Sequence, residues 1–338
     1  TAMSHEIAVL GAGAWGTALA NAAALAGNTV RLWGRDSANL RLMQKSRSNE
    51  SRLPGIVLHE GVFPEPDLAS ALRVTAAVML VVPAQQTMAM VDQLVPLLPA
   101  QVPLILCAKG LDRKTGCFLS DLVMARVPAH PVMILSGPSF AEDVGKGLPT
   151  AVVLACSQAD LARDWAHHLS SPRFRLYHSA DLRGVEIGGA AKNVLALAAG
   201  IVAGRGLGES ARAALTARGF AELSRFAHAY GAQAETLMGL SGLGDLVLTS
   251  ASIKSRNFAF GHALGRGLPP DEAAGGKLSE GAFTAPVLVA MARAKHIDMP
   301  IAEAVDAVLS GQQSIDAMVD WLMTRPIRAE QDNRTTGR

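Results

Sequence analysis

Short apolar runs alternate with helical segments along the first half of the chain. The runs contain apolar and β-branched residues without polar alternation, which is typical of strands covered on both faces. They predict strands at residues 5–10, 29–33, 76–82, 103–107, 132–136 and 151–155. An alanine-rich helix is predicted between the first two strands, at residues 14–26. Because strands that alternate with helices form parallel sheets, this half favours a parallel, doubly wound sheet.

The pattern changes after about residue 180, where the strand signals end. Long segments rich in alanine and leucine follow. They predict helices at residues 184–203, 209–230, 256–266, 284–294, 300–310 and 313–323. The second half is therefore predicted to be an all-α domain.

The composition is that of a folded protein with two cores. The 338 residues are 49% hydrophobic and 18% charged, which is enough to fill two domains. The net charge is only +2 and aromatic residues make up 4%, so a nucleic-acid partner is not indicated. The most apolar stretch, residues 185–204, contains Glu186, Lys192 and Asn193, and we predict a buried helix instead of a membrane span.

The chain has three scattered cysteines, Cys107, Cys117 and Cys156. Without a C-x-x-C pair they indicate neither a disulfide framework nor a cysteine metal site, and we predict no metal. A reducing cytoplasm is the expected location.

A glycine-rich turn follows the first predicted strand. Gly11, Gly13 and Gly16 form G-x-G-x-x-G directly before the alanine-rich helix. The first glycine permits a tight turn, the second lets the backbone approach a pyrophosphate, and the third lets helix and strand pack closely. The phosphates then lie against free amides at the helix N-terminus.

The turn predicts an α/β Rossmann-like fold, a doubly wound parallel sheet, followed by the all-α C-terminal domain. We expect a dinucleotide-binding domain over residues 1–183, a substrate and catalytic domain over 184–325, and a flexible tail over 326–338.

The end of the second predicted strand bears on the choice of nicotinamide cofactor. An NAD site usually has an acidic residue there, which bonds the ribose 2′-hydroxyl. Here Arg35 can bind a 2′-phosphate, while Asp36 can simply cap the next helix. NADP is therefore favoured over NAD, with the alternative that Arg35 is a solvated surface charge.

Other strand ends contribute polar groups at the same edge of the sheet, where ligands bind in such folds. Lys109 places a cation after the predicted strand at 103–107. The turn from Ser136 to Ala141, which includes Gly137 and Ser139, is able to surround the nicotinamide end of a cofactor.

Lys192 is the predicted acid–base group. Reduction of a ketone by hydride leaves an alkoxide, which needs a proton donor. The residues three and four positions from Lys192 include no carboxylate, so we expect an uncompensated ammonium group that loses its proton readily. The alternative is a lysine that reaches water from an amphipathic helix.

Two further clusters suggest substrate contacts. Asp245 and Thr249 would share a face if their segment is helical, and the carboxylate would then orient Lys192 or a substrate hydroxyl. A glycine-rich turn with a helix-capping Asp is the alternative. Ser255, Arg256 and Asn257 combine a guanidinium fork with hydrogen-bonding groups, a set that fits a phosphate. A plain N-cap by Ser255 is the alternative there.

These motifs, in this order, resemble the bacterial type of the NAD(P)-dependent glycerol-3-phosphate dehydrogenase family. The resemblance covers residues 5–325 and rests on GAGAWGTALA (11–20), AKGL (108–111), SGPSFA (136–141), GGAAKNV (188–194), GLGDLVLT (242–249) and SRN (255–257). It implies reversible interconversion of dihydroxyacetone phosphate and sn-glycerol 3-phosphate, which supplies phospholipid synthesis. Ser139 departs from the family's more common Thr, Leu278 from its more usual Val, and the loop at 250–254 is individual.

The resemblance also implies roles for individual residues, with Lys192 as the general acid and base. The implied substrate contacts are Lys109, Gly137, Ser139, Lys192, Asp245, Ser255, Arg256 and Asn257. The implied cofactor contacts are Gly11, Gly13, Ala14, Trp15, Gly16, Arg35, Lys109, Ala141, Arg256, Leu278 and Glu280.

Two alternatives remain open at this point: another two-domain dehydrogenase acting on a hydroxy acid or sugar acid, and a non-catalytic dinucleotide sensor. The expected partner is a small-molecule substrate. A homodimer is expected because the helical half is so apolar.

Overall fold

A computed structural model describes residues 4–276, 279–327 and 329–330. These residues divide into two compact units, one of residues 4–108 and 118–185, the other of residues 109–117 and those from 186 onward. Residues 109–117, predicted to belong to the first domain, belong to the second unit. Contacts distant in sequence hold them there, including a bond from Asn193 Nδ2 to the Lys109 carbonyl.

Most strands of the described chain are short and belong to the first unit. In chain order they are β1 (Glu6–Leu10), β2 (Thr29–Trp33), β3 (Ser48–Asn49), β4 (Leu53–Val57), β5 (Val62–Pro64), β6 (Ala77–Leu80), β7 (Leu104–Leu106), β8 (Leu111–Asp112), β9 (Cys117–Phe118), β10 (Val132–Ser136), β11 (Thr150–Ala155) and β12 (Phe174–Ser179). All six strands predicted from sequence are present: two have the predicted ends, and the ends of the other four differ by at most two residues.

Eight of these strands form one sheet in the order β12-β11-β10-β7-β6-β1-β2-β5. Neighbours run parallel except β10 and β11, which are antiparallel. The predicted parallel, doubly wound sheet is confirmed, and the sequence did not indicate this one antiparallel pair. A parallel crossover needs a dozen or more residues, usually with a helix packed across the sheet. The connection after β10 contains only a five-residue helix, which packs against the helix of the glycine turn.

Strands β5 and β12 were missed by the sequence analysis because they lie at the two edges of this sheet. β12 is mostly exposed or half-buried and has the sequence FRLYHS. Its polar residues gave no continuous apolar run.

The helices of the described chain range from four to 23 residues, and the three longest lie wholly or mostly in the second unit. They are α1 (Ala14–Leu25), α2 (Ser37–Ser46), α3 (Leu68–Leu72), α4 (Thr87–Leu94), α5 (Leu119–Arg126), α6 (Ala141–Gly145), α7 (Ala159–Leu169), α8 (Leu182–Gly204), α9 (Glu209–Ala229), α10 (Ala234–Leu237), α11 (Asp245–Thr249), α12 (Arg256–Gly265), α13 (Pro270–Ala274), α14 (Glu280–Ala294), α15 (Pro300–Leu309) and α16 (Ile315–Met323). A π-helical segment, Leu240–Gly244, precedes α11.

The core of the first unit lies between the central strands and α1. Strand β1 is buried from Ile7 to Leu10, and α1 is buried from Gly16 to Ala24. The small alanine side chains of α1 let the helix lie close to the sheet.

Helix α8 forms the centre of the second unit. Among the described residues it is the one helix long and apolar enough to cross a membrane, and 89% of that apolar window is buried inside the protein. The sequence prediction of a buried helix here is confirmed.

Candidate active site

The glycine turn between β1 and α1 has the shape that a dinucleotide needs. Gly11 has φ +125°, and a Cβ at Gly11 would collide with the Val81 carbonyl. A Cβ at Gly16 would collide with the Gly11 carbonyl, so the third glycine lets the helix approach the turn. A Cβ at Gly13 would have nothing within 4 Å, and Gly13 caps α1 without a side chain. The open backbone at the start of α1 fits the pyrophosphate of NAD or NADP.

Two charged residues follow β2, and they have different environments: Asp36 caps a helix, and Arg35 is exposed. Asp36 Oδ1 accepts a hydrogen bond from Asn39 N at 2.9 Å and so caps α2. This is the capping role expected from sequence as one alternative. Arg35 is exposed, and it stays a prediction for the cofactor's 2′-phosphate.

The turn after β10 is built around a glycine. Gly137 has φ +142°, and a Cβ there would lie 2.9 Å from Val152 Cα. Ser139 Oγ donates to the Gly137 carbonyl at 3.1 Å, and Ala141 begins α6. These residues lie in the first unit, as do Ala14 and Trp15 of the glycine turn, and their predicted ligand contacts stay predictions.

The second unit brings together three charged side chains that are far apart in sequence. Lys192 Nζ lies 3.0 Å from Asp245 Oδ1, and Lys109 Nζ donates to Asp245 Oδ2 at 2.7 Å. The side chains of Lys192 and Asp245 are 4% and 1% exposed. The expectation of an uncompensated ammonium group is therefore wrong, because the partner comes from a different helix. The alternative of a lysine reaching bulk water is also wrong.

Burial controls the acidity of Lys192. Loss of hydration lowers the pKa of Lys192 from 10.5 to about 8, the adjacent Asp245 raises it, and the Lys109 charge lowers it. The Asp245 carboxylate contacts both Lys192 and Lys109. A buried lysine with a lowered pKa is suited to proton transfer near neutral pH.

Helix α11 positions the carboxylate. Asp245 is its first residue, and Thr249 Oγ1 donates to the Asp245 carbonyl at 2.7 Å, one turn later on the same face. The predicted shared face is confirmed. The carboxylate bonds both lysines, so the alternative of an Asp that only caps its helix is wrong.

Asn193 is a site residue that the sequence analysis did not single out. It is 3% exposed, its Nδ2 donates to the Lys109 carbonyl at 2.8 Å, and its Oδ1 accepts from Asn257 Nδ2 at 3.0 Å. The available signal was an amide directly beside Lys192 in an otherwise apolar helix.

The predicted phosphate cluster at the start of α12 has three different environments. Ser255 is the N-cap, and its Oγ accepts from Phe258 N at 3.3 Å, as its alternative interpretation stated. Asn257 Oδ1 accepts from Ser279 Oγ and Gly281 N, each at 2.8 Å, and so connects α12 to the start of α14. Arg256 is exposed at the first position of α12.

The remaining predicted residues are at or near the start of α14. Glu280 is its first residue and is 9% exposed. Leu278 lies outside the described residues. Within the residues that the structure describes, no group of three His, Cys, Asp or Glu side chains is placed to hold a metal.

A glycine-rich turn on a largely parallel sheet, followed by a helical unit with a buried lysine of lowered pKa, is typical of a nicotinamide-dependent dehydrogenase. Two family profiles match the chain: NAD-dependent glycerol-3-phosphate dehydrogenase N-terminus at residues 6–162, and NAD-dependent glycerol-3-phosphate dehydrogenase C-terminus at residues 181–320. The chain belongs to the NAD-dependent glycerol-3-phosphate dehydrogenase family.

Individual relatives agree with this assignment. The chain is 60% identical to glycerol-3-phosphate dehydrogenase [NAD(P)+] of Azorhizobium caulinodans over 96% of this chain and 98% of the relative. It is 56% identical to the enzyme of that name from Methylobacterium radiotolerans, over 98% of this chain and 100% of the relative. The crystal structure of glycerol-3-phosphate dehydrogenase from Coxiella burnetii is 38% identical, with a TM-score of 0.90 over 95% of this chain and 99% of that chain.

The family resemblance stated from sequence motifs is confirmed, as is the predicted fold class. The chain is an oxidoreductase of NAD(P)-dependent type acting on a CH–OH group. The family assignment sets aside both the hydroxy-acid dehydrogenase and the non-catalytic sensor.

Proposed function

We propose that this chain catalyses reversible reduction of dihydroxyacetone phosphate to sn-glycerol 3-phosphate, supplying phospholipid synthesis. The observation that supports it most is the buried cluster of Lys192, Asp245 and Lys109. When bound, NAD(P)H supplies the hydride that reduces the carbonyl carbon. The residues of the chain then have to hold the substrate and deliver one proton.

Lys192 is the proposed proton donor. In the direction of reduction its ammonium group gives a proton to the carbonyl oxygen, which takes the electron pair of the broken C=O π bond. The neutral amine then regains a proton from solvent. In the direction of oxidation, neutral Lys192 removes the hydroxyl proton. A pKa of about 8 lets Lys192 act in both directions close to neutral pH.

Asp245 and Lys109 are proposed to orient Lys192 and add positive charge for the substrate. Asp245 holds the Nζ of Lys192 in place through a 3.0 Å contact. Arg256, exposed at the start of α12, is the proposed ligand of the substrate phosphate, since a guanidinium forms paired hydrogen bonds with phosphate oxygens. Further substrate contacts are proposed at Gly137, Ser139, Ser255 and Asn257.

The cofactor is proposed to bind at the glycine turn, with its phosphates at the start of α1. The residues proposed to contact it are Gly11, Gly13, Ala14, Trp15, Gly16, Arg35, Lys109, Ala141, Arg256, Leu278 and Glu280. Exposed Arg35, together with the commitment of Asp36 to capping α2, supports NADP over NAD.

Initial rates test this function directly. We expect the purified protein to oxidise NADPH when dihydroxyacetone phosphate is added. At equal cofactor concentrations, the rate with NADPH should exceed the rate with NADH. A 2-oxo acid without phosphate is the matched control and should give no more than background. Turnover of the 2-oxo acid but not of dihydroxyacetone phosphate would refute the proposed substrate.

A cytoplasmic location and a homodimer are also proposed. The three cysteines, all free in the structure, support a reducing compartment. The apolar character of the helical unit supports self-association.

A further inference from the structure

Gly188 of helix α8 contacts the π-helical segment Leu240–Gly244, which directly precedes Asp245. A Cβ at Gly188 would lie 3.0 Å from Ser241 Oγ and 3.1 Å from both Gly242 Cα and Gly242 N. Such distances are tighter than most real Cβ contacts, so a side chain at Gly188 requires the neighbouring atoms of the π-helical segment to yield by a few tenths of an ångström.

This contact lies next to the acid–base pair on both elements. Lys192 follows Gly188 by one helical turn on α8 and therefore lies on the same face. Asp245 follows Gly242 by three residues, at the point where the π-helical segment becomes α11. The contact between the two backbones therefore lies one helical turn from Lys192 and three residues from Asp245.

The π-helical segment is also packed on the side that faces α10. A Cβ at Gly242 would collide with the Leu237 carbonyl, so Gly242 already lies against α10. Gly244 N also donates to the Gly239 carbonyl at 3.0 Å, which closes the segment on itself. Ser241 is 1% exposed, and its Oγ has no hydrogen-bond partner among the residues the structure describes.

We propose that Gly188 is a positioning residue, whose backbone contact with Gly242 fixes the distance between the Lys192 ammonium and the Asp245 carboxylate. The proposal rests on the proposed function, since it concerns the proton donor of that reaction. Its physical basis is the absence of a side chain at Gly188.

The consequence appears in the acidity of Lys192. The charged groups that act on Lys192 are Asp245, which raises its pKa, and Lys109, which lowers it. A methyl group at Gly188 would move Asp245 away and weaken the first effect. With an effective dielectric constant of about 20, a separation larger by about 0.5 Å lowers the pKa of Lys192 by roughly half a unit.

The test compares Gly188→Ala with Gly61→Ala. Gly61 is a matched control in the first unit, where a Cβ would lie 3.1 Å from the Asn28 carbonyl oxygen, the same crowding against backbone. The readout is the pH midpoint at which kcat for reduction of dihydroxyacetone phosphate by NADPH falls. We expect the midpoint to move down by about half a unit in Gly188→Ala and to stay unchanged in Gly61→Ala.

A second variant guards against misfolding. In Gly188→Ala/Ser241→Ala the nearest atom to the new methyl group is removed, so we expect a folded protein whose midpoint lies between those of wild type and Gly188→Ala. An unshifted midpoint in folded Gly188→Ala, an equal shift in Gly61→Ala, or failure of both Gly188 variants to fold would overturn the proposal. Absence of turnover in the wild-type protein would instead refute the proposed function.

Discussion

Lys192 and Asp245 are both almost fully buried, and the attraction between their opposite charges offsets part of the free energy lost on burial. An ammonium group loses several kcal/mol of hydration on burial, and a carboxylate at 3.0 Å returns only part of it. The hydration free energy that is not recovered lowers the pKa of Lys192 to about 8, and burial is the largest cause of this shift. Desolvation therefore has a larger effect on the pKa of Lys192 than the ion pair with Asp245 has.

Lys192→Ala tests the proton donor. We expect kcat to fall by about 10²- to 10⁴-fold, the usual loss when a general acid is removed. The dissociation constant of NADPH should change little, because the glycine turn belongs to the other unit. Steady-state rates and a fluorescence titration of bound NADPH measure the two quantities. Near-normal turnover would remove Lys192 from this role.

Arg256→Ala tests the phosphate ligand. Loss of charge-assisted hydrogen bonds should lower kcat/KM for dihydroxyacetone phosphate by roughly ten- to a hundredfold. Arg266→Ala is the matched control, since Arg266 is also exposed and lies at the other end of α12. Equal effects of the two substitutions, or an unaltered kcat/KM in Arg256→Ala, would contradict the assignment.

At the scale of elements, two helix N-termini depend on groups outside their own sequence. Helix α1 starts at a glycine with no side-chain cap, which leaves its amides open for phosphate. Helix α15 starts with Pro300, and Ile301 N and Ala302 N donate to the carboxylate of Glu222 on α9 at 2.8 and 3.3 Å. The first N-terminus suits a ligand, and the second joins two helices.

Gly13→Ala separates cofactor binding from folding. The new methyl group would have no protein atom within 4 Å, so we expect an unchanged melting temperature. It would occupy the space that the pyrophosphate approaches, so the NADPH dissociation constant should rise by about tenfold or more. Calorimetric titration and thermal melting give both values. Wild-type affinity in this variant would exclude the turn as the phosphate site.

Glu222 predicts a pH dependence of stability. Burial raises the pKa of Glu222 from 4.5 to about 8, although the two amide bonds act to lower it. Between these two pH values the folded state holds a proton that the unfolded state has lost. The free energy of unfolding therefore decreases by roughly a few kcal/mol as pH rises through this range. Above about pH 8 it levels off.

Glu222→Gln should remove this contribution. Denaturant unfolding between pH 5 and pH 8 is the measurement, and Glu235→Gln, an exposed substitution on α10, is the control. If the slope of unfolding free energy against pH is the same in wild type and Glu222→Gln, the carboxyl group is not protonated in the folded state.

For the whole molecule, the proposed role of Lys192 as proton donor predicts how turnover depends on pH. Reduction needs the ammonium form, so kcat should be constant below the pKa of about 8 and fall tenfold per pH unit above it. Oxidation of glycerol 3-phosphate needs the neutral amine, so its kcat should rise up to about pH 8 and then level off. Rates in both directions across pH 6–10 test this expectation. Profiles that change in the same direction would contradict it.

The folding of the whole chain shows where local patterns suffice. Hydrophobic patterns among neighbouring residues predicted the buried parallel strands and the long helices. The spacing of three glycines predicted the turn. Strand β12 and the antiparallel pairing of β11 depend on position in the sheet, which no window of sequence contains. Residues 109–117 join the second unit for the same reason, because their partners come much later in the chain.

The sequence by itself determined the two-part architecture, the glycine turn and the family, and it singled out Lys192 as the candidate proton donor. Tertiary structure alone decided the partner of that lysine, since Asp245 and Lys109 meet Lys192 only after three distant segments pack together. The physical reason is range: backbone propensity and hydrophobic period act over a few residues, whereas desolvation and ion pairing depend on what surrounds an atom in space.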